Sequence, residues 1–153
     1  MKRAAAIAVA AWWIAGATLG VLAASAGLAV GVDPTGLWLV SALTETAISP
    51  SFDLRAVVGF AVSEGLSGLM LATTSILFHV PMSPFDPFAG AGVGAALTPP
   101  PYTSAVVLEA VGGVRIISFE SFGLFAQARY LVRGSSDGWT AGPVFEAGAY
   151  LRF

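Results

Sequence analysis

The chain contains no cysteine, which excludes a disulfide framework, a thiolate zinc site and a cysteine nucleophile. Charge is nearly as scarce. Only 10% of the 153 residues are Asp, Glu, Lys or Arg, against about 25% in an ordinary soluble domain. The formal net charge of −2 comes without any basic cluster, which argues against nucleic acid as a partner. A single histidine, His79, is too little for a metal site, and no cofactor is expected. Past residue 32 there is also no run of about 18 apolar residues free of polar groups or breakers, so no spanning helix is expected there. What the chain does have is apolar bulk: 56% hydrophobic residues, with 18 Gly and 9 Pro scattered among them. Such a chain buries too much apolar surface to stay disordered and has too little charge to cover a soluble monomer. Its length suits one domain.

Helical membrane character is confined to the beginning. Met1-Lys2-Arg3 is a positive start, Ala4 to Ile14 is apolar, and Ala15-Gly16-Ala17 and Ala24-Ser25-Ala26 both fit the small-x-small cleavage pattern. Residues 1–26 are therefore expected to be a secretory signal peptide, helical if retained, cleaved after Ala17 or after Ala26. The alternative is a retained anchor, because apolar character continues to Val32.

The rest of the chain alternates with a period of two. From residue 139, Trp139, Ala141, Pro143, Phe145, Ala147, Ala149, Leu151 and Phe153 share one parity, and Glu146 and Arg152 fall on the other. Residues 122–133 repeat the pattern, and Gly134 to Gly138 reads as a hairpin loop between the two. Further strands are expected at about 104–117, 86–97, 67–80, 52–62, 37–48 and 19–32, separated by turn-forming clusters such as Thr98-Pro99-Pro100-Pro101 and Asp33-Pro34-Thr35-Gly36. Eight strands near the length of a tilted membrane strand, with both termini at one end, predict an all-β, antiparallel up-and-down transmembrane barrel over residues 27–153.

Strands that hold two charges test this independently. Asp53 with Arg55, Glu109 with Arg115, Arg129 with Arg133, and Glu146 with Arg152 each share a parity, an agreement expected by chance about once in 16. The opposite parity carries Trp38, Phe52, Phe60, Phe78, Phe122, Tyr130, Trp139, Phe145 and Phe153. Aromatics outside and charges inside describe a lipid-facing barrel, the reverse of a soluble barrel or sandwich. Gly90, Gly92, Gly94, Gly113, Gly123, Gly142 and Gly148 fall on the inward parity, where small residues relieve crowding in a narrow lumen.

These features resemble the small eight-stranded bacterial outer-membrane β-barrels of the OmpA/OmpX-like class, over nearly the whole mature chain. Glu146-x-Gly148-x-x-Leu151-x-Phe153 matches that family's C-terminal assembly signal. The resemblance implies export to the outer membrane, lipid and the barrel-assembly machinery as partners, and a monomer. It also brings two departures: the loops near 33–36, 63–66, 98–103 and 134–138 are short, which weakens an adhesin or receptor reading, and no peptidoglycan-binding domain is expected after the barrel.

The chemistry-bearing residues point inward. Arg55, Glu109, Arg115, Arg129, Glu146 and Arg152 are expected to fill the lumen with a salt-bridge network, with Glu109 directly opposite Arg129 across a tight turn near 118–121 and Glu146 diagonal to it. Trp38, Phe52, Phe122, Trp139 and Phe153 are expected near strand ends as interfacial girdles. Paired carboxylates in a filled lumen leave no room for a sugar. Some outer-membrane barrels deacylate lipid A with His, Ser and Glu on the wall, and His79, Ser75 and Glu109 are the residues that could serve here, although no matching motif surrounds them; otherwise His79 is a polar residue near the periplasmic rim. The expected role is structural or interaction-based and non-enzymatic. The alternatives are a narrow, porin-like conduit or carrier of a small hydrophobic ligand through a wall opening, and a lipid A-modifying enzyme built on His79.

Overall fold

The computed structural model describes residues 25–63, 66–98, 103–119, 121–136 and 138–153. The signal-peptide reading of residues 1–24, and a first strand beginning at 19, lie outside them. Eight strands run in chain order: β1 Ser25–Val32, β2 Trp38–Ser49, β3 Phe52–Ser63, β4 Leu66–His79, β5 Phe85–Thr98, β6 Thr103–Phe119, β7 Phe122–Ser135 and β8 Gly138–Arg152. Each pairs antiparallel with its neighbour, and β1 closes on β8 from Ser25↔Arg152 to Val32↔Phe145. A cut after Ala26 would remove the first two residues of that closing ladder.

Parity decides which side chains go in. Outward positions leave Leu28 66% and Val93 60% exposed, and exposed large apolar residues occur on each of the eight strands. Inward positions bury Arg129 and Arg55 to 0% and 2% exposure. In water this arrangement would be inverted, since guanidiniums seek solvent and leucines avoid it. It is stable only where the outside is itself apolar.

The aromatic residues cluster by height. Trp38 and Trp139 stand at the loop end, and Phe52, Phe122 and Phe153 at the end that carries the chain terminus. All but the half-buried Phe122 are exposed, with Phe153 beyond the last ladder residue.

Inside, the lumen is layered. At the loop end Leu39, Ala61, Leu71, Ala96, Val107, Leu131 and Val144 form an apolar cluster. Two residues further down each strand the chemistry changes: Ser41, Thr73, Glu109, Arg129 and Glu146 take the same inward parity and are buried. The polar residues therefore occupy the middle and the terminal half of the barrel.

Height also differs between strands. β1 has 8 residues and β8 has 15. Val32, the last residue of β1, faces Phe145, so Gly138 to Val144 of β8 are paired to β7 alone. Pro143 lies in this half-paired stretch, where a missing N–H is tolerated.

Candidate functional site

The buried charges form one connected network in two tiers. In the upper tier Arg129 donates from Nε to Glu109 Oε2 at 3.1 Å, from NH1 to Glu146 Oε1 at 3.3 Å and from NH2 to Thr73 Oγ1 at 3.0 Å. Ser75 Oγ donates to Glu109 Oε1 at 2.7 Å, and Ser41 Oγ to Glu146 Oε1 at 3.0 Å. Both carboxylates are thus held by a guanidinium and a hydroxyl, which meets the requirement that a buried anion be paired and hydrogen-bonded.

The lower tier is built on Arg115. Its NH1 reaches Asp86 Oδ2 at 2.9 Å, and its NH2 reaches Asp53 Oδ2 at 2.8 Å and Glu45 Oε2 at 3.2 Å. Arg55 Nε donates to Glu45 Oε1 at 2.6 Å. Gln127 joins the tiers, accepting from Arg55 and donating to Glu146. The Phe88 ring lies 4.6 Å from the Arg55 guanidinium and 5.1 Å from that of Arg115. Each contact contributes about 0.5–2 kcal/mol, and Glu45, paired with both guanidiniums, offsets their like charges.

Arg55, Glu109, Arg115, Arg129 and Glu146 are accordingly brought together, but two expectations need correction. Glu109 faces Leu131, and Arg129 faces Val111. The β6–β7 turn starts from Phe119↔Phe122, later than expected, so paired numbers sum to 240 along the ladder where about 238 was expected, and Arg129 meets Glu109 diagonally, as it meets Glu146. Arg152 does not join the network. It has the inward parity but sits at the terminal rim, where its guanidinium lies 5.5 Å from the Tyr150 ring and its backbone N–H donates to Ser121.

Glu45, Asp86 and Gln127 are part of the network without having been singled out from the sequence. Each lies on the parity of its strand's other inward residues. Glu45 and Asp86 are the only charges on β2 and β5, so a test restricted to strands with two charges passes over them.

His79 does not meet Ser75. Its Nδ1 lies 3.0 Å from Asp86 Oδ1 and its Nε2 3.7 Å from Asp53 Oδ2, while the Ser75 hydroxyl is committed to Glu109. As the last residue of β4, His79 belongs to the terminal end of the lower tier. No cluster of metal-ligating side chains occurs among the described residues.

At the loop end, the turn after β1 is fixed by Asp33. Its Oδ1 accepts from Thr35 N at 2.8 Å, Thr35 Oγ1 at 2.6 Å and Leu37 N at 2.9 Å, and Gly36 supplies the positive φ of 85° that closes the turn. Slight burial pushes the Asp33 carboxyl up, but the Thr35 hydroxyl, the Leu37 and Thr35 amides and the nearby Arg133 charge outweigh it and hold it below the usual carboxylate range.

Eight antiparallel strands in an up-and-down closed barrel, with an apolar outside and a charged inside, define the fold of the small outer-membrane β-barrels. Among solved structures, the chain is similar to Neisserial surface protein A (TM-score 0.65, 15% identity, covering 84% of this chain and 94% of that one). It is also similar to the N-terminal β-barrel domain of Pseudomonas aeruginosa OprF (TM-score 0.66, 12% identity, 86% and 98% covered). A third similar structure is the outer-membrane enzyme PagL (TM-score 0.58, 10% identity, 85% and 99% covered). No protein-family model and no curated protein matches the chain.

Proposed function

We propose that this chain is an outer-membrane β-barrel, exported through its N-terminal segment, with its termini at the periplasmic end and a structural or interaction role that needs no conduction. The observation that carries this reading is the inversion of the molecule: guanidiniums fully buried at the centre and large apolar side chains exposed around the outside. The test is fractionation followed by a heat-modifiability gel. An outer-membrane protein whose unboiled band migrates apart from the boiled one is expected; identical migration in the inner-membrane fraction would favour a retained anchor and overturn the assignment.

A lumen crossed by Arg55, Arg115 and Arg129 and their partners supports a barrel without a pore. The purified protein is expected to give no conductance in planar bilayers. Channels that persist after Arg129→Ala would establish the conduit instead. PagL is an enzyme, yet here the His79 imidazole lies against Asp86 and the Ser75 hydroxyl against Glu109, which favours the non-enzymatic reading. Loss of a lipid A acyl chain that depends on His79 would reverse it.

The C-terminal residues Glu146, Gly148, Leu151 and Phe153 are read as the signal presented to the barrel-assembly machinery. Phe153 is 83% exposed and follows the last strand, so it adds little packing. Its deletion is expected to lower outer-membrane levels strongly while leaving the unfolding midpoint of the assembled fraction within about 0.5 kcal/mol of the parent. Normal levels of the deletion variant would refute the assignment.

A further inference from the structure

The loop end of the lumen holds a cavity of about 280 Å³ whose walls are mainly apolar, with Leu39, Ala61, Leu71, Leu131 and Val144 around it and Asp33, Thr35 and Arg133 contributing polar lining. The Asp33–Leu37 turn lines one side of it, and Ala141, Gly142 and Pro143 of the half-paired stretch of β8 line another. The low β1 strand therefore leaves a notch in the wall beside the cavity. Trp139 stands exposed on the same stretch of β8, with its ring over Gly134 of β7.

The glycines distinguish this space from ordinary lumen crowding. A Cβ at Gly113 would lie 2.7 Å from the Phe88 ring, and one at Gly148 2.7 Å from the Phe125 ring. At Gly142, which shares the inward parity and was expected to relieve crowding, a Cβ would meet nothing within 4 Å. Gly142 is thus an inward glycine with open space in front of it, and it lines the cavity.

On the scale of the enclosed 150 Å³ apolar cavity that holds benzene, this partly open space of 280 Å³ has the volume of about ten carbons. Asp33, Thr35 and Arg133 are the polar residues of the lining, and the Arg133 charge also acts on the Asp33 carboxyl. The Asp33 Oδ1 that faces the turn is occupied by three local donors, whereas Arg133, which lines the same cavity, makes no side-chain hydrogen bond or ion pair with the described residues. A guanidinium with open donors selects an anionic oxygen.

From this geometry we infer that the cavity is a binding site for a single-chain amphiphile, a hydrocarbon tail of about ten carbons with an anionic head, the tail in the cup and the head on Arg133. The notch lets the tail enter from the side at the level of Trp139. The inference rests on the membrane placement proposed above, because the notch opens onto the surface that would meet lipid. The polar network two residues below closes the floor, so the site binds without conducting.

The test uses the full chain isolated from outer membranes, placed in phosphatidylcholine nanodiscs, and labelled with a decanoate that carries a photoreactive diazirine on its tail. Mass spectrometry should place adducts on cup residues such as Leu71 and Leu131, competed by excess decanoate. Gly142→Phe should reduce cup labelling by about tenfold or more by occupying the space, while labelling of the outer belt at Leu28 and Phe60 stays the same. Gly142→Leu, a smaller filler, should act in the same direction. Arg133→Gln should weaken competition by decanoate about tenfold and leave competition by decanol unchanged; an equal loss for both would overturn the anionic head. A heat-modifiable barrel labelled only on its belt overturns the site and leaves the membrane assignment standing. Cup labelling in a chain found outside the outer membrane supports the site and overturns the placement. Displacement of the probe by phosphatidylglycerol but not by free decanoate would make a membrane lipid the occupant and overturn the free amphiphile.

Discussion

Replacing Arg129 by leucine is expected to lower the unfolding free energy of the membrane-inserted barrel by about 3–5 kcal/mol. Arg129 has no exposed surface, and it is the cation shared by Glu109 and Glu146. Leucine would fill part of the volume, but both carboxylates would stay in the lumen without that partner, leaving Ser75, Ser41 and Gln127 as neutral donors. Removing one member of a buried ionic group costs more than the group itself contributes, because the desolvation of the remaining charges is no longer offset. The same argument sets a control. Adding Glu109→Gln and Glu146→Gln to Arg129→Leu removes the stranded charges and should recover most of the loss, so the three changes are strongly non-additive. Urea unfolding in vesicles measures both effects as shifts of the midpoint at constant slope. An unchanged midpoint for Arg129→Leu would reject the network as a source of stability.

The architecture was legible because a lipid-facing barrel writes its pattern into parity. Asp53 with Arg55 and Glu109 with Arg115 fix the inward face of two strands from sequence alone, and Gly, Pro and Ser clusters mark where each strand ends. The observed β2, Trp38–Ser49, and β7, Phe122–Ser135, fall within two residues of the expected 37–48 and 122–133. Exact facing was not legible. Register depends on turn geometry and irregularities, and a turn that starts from Phe119↔Phe122 turns a direct Glu109–Arg129 pair into a diagonal one. Contacts between strands far apart in order were also out of reach. Arg115 on β6 reaches Asp53 on β3, and Arg129 on β7 reaches Thr73 on β4, because both project across the lumen, a relation that no local spacing encodes. The apolar cup was hidden for a similar reason. Leu39, Ala61, Leu71 and Leu131 look like the alternation of any half-buried strand until closure of the barrel places them around a common space, and Gly142 resembles its crowded counterparts until its surroundings are known.

The second large effect is expected at one of those crowded positions. Gly92 lies between Ser75 on β4 and Glu109 on β6, its register partner on either side. A Cβ there would press on the Thr74 carbonyl and the Ser75 hydroxyl and lie 2.8 Å from Ser75 Cα. Two of these three atoms are backbone and can give way only by moving β4. The bare glycine also lets Ser75 Oγ pass over β5 to Glu109 at 2.7 Å. Gly92→Leu therefore combines overpacking, about 1–3 kcal/mol, with loss of a hydrogen bond to a buried charge, about 1.5–3 kcal/mol. The two overlap, since both act through the same displacement of β4, and a net destabilisation of about 3–5 kcal/mol is expected. Gly142→Leu is the matched comparison: the same substitution at an inward glycine, in a position where the new side chain enters open space, with an expected change within about 1 kcal/mol. Unfolding midpoints of the two variants in the same vesicles decide the matter, because strand propensity changes alike in both and cancels in their difference. Equal midpoints would mean that the inward glycines serve strand bending alone, and that the close approach of β4, β5 and β6 around Glu109 is not what holds the upper tier of the network in place.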